Sequence, residues 1–138
     1  RVNLLRYGNH LIDPISELFG FDVSWVRSLK SDLGHDILQF QYESGPNVIL
    51  EFIENLHLPI GFRCYSEVAP CIEVLFEDYF SCYLALMRNF VNCIRNSSLE
   101  LSEPKIRATN ELILGGLRSK KRGGELIDLS RPLKAIPS

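Results

Sequence analysis

His10 and Asp13 stand within Tyr7-Gly8-Asn9-His10-Leu11-Ile12-Asp13, near the start of a chain of 138 residues. Imidazole titrates near neutrality and suits general acid–base work. Residues at i and i+3 share a helix face, so Asp13 either orients His10 or is an early-turn acid favoured by the helix dipole. The alternative for His10 is a helix-start histidine that hydrogen-bonds locally and does no chemistry. His35 and His57 fall at loops or strand ends with no carboxylate-rich motif beside them, and read as surface histidines. Glu77-Asp78 sits at a strand–helix junction and reads as a pair of helix N-terminal acids rather than an acid/base couple.

Other chemistries lack their motifs. The sequence holds no Gly-x-Ser-x-Gly elbow, no Gly-x-Gly-x-x-Gly fingerprint and no Walker-type loop, so it assigns no cofactor-binding residue. Cys64, Cys71, Cys82 and Cys93 lack Cys-x-x-Cys spacing and have few histidines nearby, so no metal ligands are assigned. Free thiols of a cytoplasmic protein are expected, with a Cys64–Cys71 bridge across a hairpin as the alternative.

A formal net charge of −2 argues against a nucleic-acid binder, which normally shows a basic face. The only basic run, Lys120-Lys121-Arg122, ends a predicted helix, where cations complement the dipole. No apolar run approaches the roughly 18 residues of a membrane span. The opening Arg1-Val2-Asn3-Leu4-Leu5-Arg6 carries no extended apolar leader and begins without Met, the start expected of an excised or trimmed domain. Hydrophobic content of 46% and charged content of 23% are those of an ordinary globular domain, able to bury roughly two-thirds of its unfolded surface.

The elements that must position these residues follow from periodicity. Leu11, Ile12, Ile15, Leu18 and Phe19 predict a helix over Asn9–Phe19 with Pro14 early in it and Gly20 as a left-handed cap. Phe21, Val23 and Trp25 alternate as one face of a strand, followed by strand-like runs at 36–42, 47–54, 60–68 and 71–76. Turns at Glu43-Ser44-Gly45-Pro46 and Ala69-Pro70 are too short for parallel crossovers, so the sheet is an antiparallel meander. Leu38, Phe40 and Tyr42 with Val48, Leu50 and Phe52 mark its core face. The opposite face mixes Ile37, Ile49, Ile53 and Tyr65 with Gln39, Gln41, Glu51, Arg63 and Glu67: either an interface or a solvated surface.

Two helices are predicted to cover the core face. The first, about Asp78–Arg95, has the stripe Phe80, Tyr83, Leu84, Met87, Phe90, Val91 and Ile94, closed by Asn96-Ser97-Ser98. The second, capped by Ser102, buries Ile106, Thr109, Leu112, Ile113, Gly116 and Leu117, with Gly115-Gly116 pointing to close packing. Gly123-Gly124 then reverses the chain into a last strand, 125–129, and 131–138 is an extended tail.

The landmarks Gly8-Asn9-His10-Leu11-Ile12-Asp13 through Leu18-Phe19-Gly20, Asp36, Glu43-Ser44-Gly45, Phe90-Val91-Asn92-Cys93-Ile94, Arg118-Ser119-Lys120 and Gly124-Glu125-Leu126-Ile127-Asp128-Leu129 occur in a telling order. In that order and spacing the chain resembles the carboxy-terminal domain of the glucose–fructose oxidoreductase/inositol dehydrogenase (Gfo/Idh/MocA) family. The resemblance implies an α+β fold: an open, mostly antiparallel sheet of about six strands with helices on one face. Residues 1–130 are then a single substrate-binding and oligomerisation domain, with the dinucleotide-binding domain absent from this chain. It also implies a parent oxidoreductase using NAD or NADP on a sugar, cyclitol or related polyol, and homo-oligomers formed through the open sheet face. This chain alone is expected to be inactive.

In that family a lysine of the cofactor domain acts with an aspartate and a histidine of this domain. His10 matches the histidine as the candidate catalytic residue. Arg6 occupies the aspartate's position, four residues earlier, and cannot act as a general base. It can instead hold a carboxylate or phosphate of the substrate, making Arg6 and Asp13 the candidate substrate-binding residues. The alternative is a non-catalytic binding or assembly module that kept the fold and lost the chemistry.

Overall fold

The computed structural model describes residues 4–30, 35–52, 60–65, 70–76, 78–97 and 103–130, without the side chains at 60, 62, 64, 72, 76, 79 and 82. Ile53, His57, Glu67, Glu77, Ser102 and the tail 131–138, each singled out from the sequence, lie outside that set. The chain divides into two units, Arg1–Leu56 with Ser102–Ser138, and His57–Leu101.

The first unit opens with α1 (Leu4–Phe19), whose buried residues Leu4, Gly8, Ile12, Ile15 and Ser16 recur at helical spacing. The helix starts before the predicted Asn9 because Leu4 is itself a core residue and its amide has a partner. Leu4 N–H donates to Asp36 Oδ2 at 3.1 Å, and Asp36 also pairs with Lys120. Pro14 is therefore well inside the helix rather than early in it. Its missing amide removes the donor that the His10 carbonyl would otherwise receive. Gly20, at φ 88°, closes the helix as predicted, its N–H donating to the Ser16 carbonyl at 2.8 Å.

Four strands follow the order β3-β2-β1-β6, antiparallel throughout: β1 (Val23–Leu29), β2 (Asp36–Tyr42), β3 (Asn47–Phe52) and β6 (Ile127–Asp128). Leu38, Phe40, Tyr42, Leu50 and Phe52 are buried, the face the alternation marked as core. The phase of β1 differs from the prediction. Val23 pairs with Tyr42 but Trp25 pairs with Gln41, so a bulge at Ser24 sends Trp25 to the opposite face and brings Val26 into the core. Tyr42 is 2% exposed, and burial pushes its phenol above the ordinary value of 10.0 while Ser16 pulls the other way.

The predicted six-strand sheet is two sheets. In the second unit, β4 (Ile60–Cys64) and β5 (Ile72–Phe76) form a separate antiparallel hairpin with an Arg63–Glu73 ion pair at 2.7 Å across it. Alternation identifies strands but does not choose their neighbours. Tyr65 and Arg63 thus belong to the hairpin, not to the outer face of the larger sheet. Cys71 carries a free, exposed thiol, so the Cys64–Cys71 bridge is not formed.

The hairpin leads to α2 (Tyr79–Asn96), capped by Asp78, which accepts from Ser81 N–H at 2.9 Å. Hydrogen bonds from Ser81 hold that carboxyl below its usual range. Along this helix Phe80, Tyr83, Met87, Phe90 and Ile94, the stripe singled out from the sequence, are exposed. The core face is filled from α1 and α3 (Glu103–Lys121): Leu4, Ile12 and Ile15 from one helix, Leu112 and Ile113 from the other.

How α3 reaches the sheet depends on its two central glycines. A Cβ at Gly115 would lie 2.7 Å from Val26 Cγ1, and one at Gly116 would lie 2.4 Å from Leu38 Cδ1 and 2.8 Å from Leu4 Cδ2. Below this contact Ser119, 0% exposed, accepts the Ser28 N–H at 2.7 Å and donates to the Glu125 carbonyl at 2.6 Å. Gly123 and Gly124, at φ 72° and 95°, then turn the chain into β6. Gly116→Ala is predicted to destabilise the fold. Overpacking costs about 1–3 kcal/mol and better helix propensity returns at most about 1 kcal/mol. Urea denaturation checks the sign, and a stabilised variant would mean that the helix does not sit this close.

Candidate functional site

α1 presents Arg6, His10 and Asp13 at i, i+4 and i+7, one side of the helix and away from the stripe that Leu4, Gly8, Ile12 and Ile15 bury. Arg6 and His10 are exposed, and Asp13 is half-buried. Tyr7 joins the first two. Half-buried against the core, its ring lies 5.9 Å from the His10 ring at a tilt of 47°, with Arg6 Cζ 5.6 Å from its centroid. A tilted aromatic contact and a cation over a ring face are both attractive geometries.

Asp13 has a different anchor. Thr109, buried in α3, donates its hydroxyl to Asp13 Oδ1 at 2.9 Å. Among the described residues no hydrogen bond joins Asp13 to His10. Nor is Asp13 an early-turn acid, because the helix begins nine residues before it, at Leu4. The next acid along the helix, Glu17, pairs with Lys105 of α3, whose ammonium also lies 6.0 Å from the Phe21 ring. His35 is half-buried just ahead of β2.

Sequence reasoning placed His10 and Asp13 on the helix predicted from Asn9, left Arg6 ahead of it, and missed Tyr7 and Thr109 as supports. Tyr7 was legible as the i−3 neighbour of His10. Thr109 was not, because its pairing with Asp13 crosses 96 residues of chain.

The outer face of the four-stranded sheet is the second feature. Register sets Trp25 beside Gln41, Arg27 beside Gln39, and Gln39 beside Ile49. Arg27 Nε–H donates to Gln39 Oε1 at 2.8 Å, Gln39 to Asn47 Oδ1 at 2.7 Å, and Asn47 to Gln41 Oε1 at 3.1 Å. This chain of cross-strand bonds fixes the polar side chains, while Ile49 beside it is 54% exposed. The hollow beside α2, lined by Met87, Arg88, Val91, Asn92 and Arg95, belongs to the other unit and brings no candidate acid or base together.

Among the described residues, no three His, Cys, Asp or Glu side chains converge to hold a metal ion, and no helix is long and apolar enough to cross a membrane. No known protein family matches the sequence, and neither a curated protein nor a solved structure is similar to it.

The Thr109–Asp13 bond generates a prediction. Thr109→Val keeps the shape and removes the donor, so stability should fall by about 1–2 kcal/mol and return in Thr109→Ser. Urea titrations of the three proteins measure it, and equal midpoints would show that the bond holds nothing in place.

Proposed function

We propose that this chain is the substrate-binding and oligomerisation domain of an NAD(P)-dependent oxidoreductase acting on a sugar, cyclitol or related polyol. The observation that carries this reading is the placement of His10: exposed on α1, beside the Tyr7 ring, on the same side of the helix as an Asp13 already fixed by Thr109. A dinucleotide-binding domain outside this chain would hold the nicotinamide, which supplies hydride acceptance when bound. This chain's residues supply the rest.

His10 takes the hydroxyl proton as the carbon is oxidised and returns it in the reverse direction. Tyr7 limits the swing of the imidazole, which favours one approach over many. With Oδ1 held by Thr109, the Asp13 carboxylate keeps Oδ2 as a second acceptor for a substrate hydroxyl. Subunits associate through the outer sheet face around Ile37 and Ile49.

The second reading, an assembly module without catalysis, is favoured by the exposed apolar side chains of α2 and by Arg6 in the place of an acid. Steady-state kinetics of the whole gene product on a panel of sugars and cyclitols, with NAD and with NADP, separates the two. Turnover that drops roughly 10²-fold or more in His10→Ala is the expected result. Absence of turnover with every polyol, or activity indifferent to His10→Ala, favours the assembly module.

A further inference from the structure

We infer that β3, at the edge of the four-stranded sheet, pairs antiparallel with the β3 of a second copy of this chain. The contact is made by backbone, and it depends neither on the polyol reading nor on association between outer sheet faces. Hydrogen bonds at the hairpin set the phase. Tyr42 N–H donates to the Pro46 carbonyl at 3.3 Å, and Glu43 N–H to the Asp22 carbonyl at 3.0 Å. Even-numbered residues of β2 therefore bond toward β3, and odd-numbered ones toward β1. With Leu38 opposite Leu50 and Phe40 opposite Val48, the amides and carbonyls of Val48, Leu50 and Phe52 serve β2. Those of Asn47, Ile49 and Glu51 aim the other way. Among the described residues, β3 pairs only with β2.

Edges left in water are blunted by lysine, proline, a bulge or brevity. β3 runs Asn47-Val48-Ile49-Leu50-Glu51-Phe52, with no lysine or proline and in unbroken register with β2. The opposite end of the sheet, β6, is only two residues long. What fits the β3 edge is β3 itself. Turned about a two-fold axis at Ile49, it sets Ile49 beside its own copy, Val48 beside Leu50 and Asn47 beside Glu51. Each outward amide and carbonyl of these residues then meets one from the other copy. The core side stays apolar across the junction, and exposed Ile49 packs on its equivalent. Asn47 gives one amide hydrogen to Gln41, which leaves the second for the Glu51 carboxylate opposite. A register centred on Glu51 would instead oppose two carboxylates, so charge selects the pairing about Ile49.

Amide hydrogen exchange followed by NMR tests this, on the full chain carrying Ile37→Lys so that contact between outer faces does not contribute. From dilute to concentrated samples, exchange at Ile49 and Glu51 should slow by about tenfold or more. Val48, Leu50 and Phe52, bonded to β2, should stay slow throughout and so report an intact fold. Adding Ile49→Pro deletes one outward N–H and costs the β2 pairing nothing. The expected result is a folded chain whose mass by light scattering falls to that of one copy. Glu51→Pro repeats the test at the next outward amide. Self-association that survives both prolines overturns the pairing. So does fast exchange at Ile49 and Glu51 at every concentration, which would leave the edge to water. Slow exchange at both in a monomer overturns it too, because another segment of the same chain would then cover the edge.

Discussion

The backbone of α3 lies against the side chains of β1 and β2 because Gly115 and Gly116 place no Cβ between them. That close seating sets the other distances in the first unit. It brings Ser119 to the Ser28 amide, which ties the end of α3 to β1, and it leaves Ile113 facing α1, where a Cβ on Gly8 would lie 3.1 Å from it. α1 is thereby held through a small residue on each helix. Thr109 and Lys105, on the same α3, then reach Asp13 and Glu17. The position of the candidate site is thus fixed from a helix distant in sequence, and a change in the depth of α3 would be felt at His10.

Once α1 and α3 fill the core face, the two sides of the sheet carry different chemistry. Leu38, Phe40, Leu50 and Phe52 interdigitate with helix side chains. On the reverse, Arg27, Gln39, Asn47 and Gln41 satisfy one another, so their polarity is spent within the sheet and does not demand water at every atom. Ile49, exposed beside this network, is the apolar group that the proposed association through this face would bury.

Much of this was legible in residue spacing. The core faces of β2 and β3, the Gly20 cap, the Gly123-Gly124 reversal and the packing purpose of Gly115-Gly116 all follow from local rules of periodicity and backbone freedom. What was not legible depends on contacts between distant residues. The start of α1 was hidden because its amide partner, Asp36, lies on β2. Trp25 was placed on the wrong face because a bulge changes strand phase without changing composition. Six strand-like segments suggested one sheet, whereas β4 and β5 pair with each other. The stripe on α2 marks a helix with an apolar side but not what that side meets. Of the candidate site, His10 and Asp13 could be set on one helix from spacing, while the inclusion of Arg6 in that helix and the support from Thr109 needed the fold.

The claim that the sheet has one face for the core and one for another copy of the chain is tested most directly by mass in solution. Light scattering after gel filtration, over a range of concentrations, gives that mass. The account predicts a dimer or larger species that dissociates in Ile49→Lys. A strict monomer at high concentration contradicts it. So does an oligomer that ignores Ile49→Lys and breaks with Met87→Lys, which would assign association to α2.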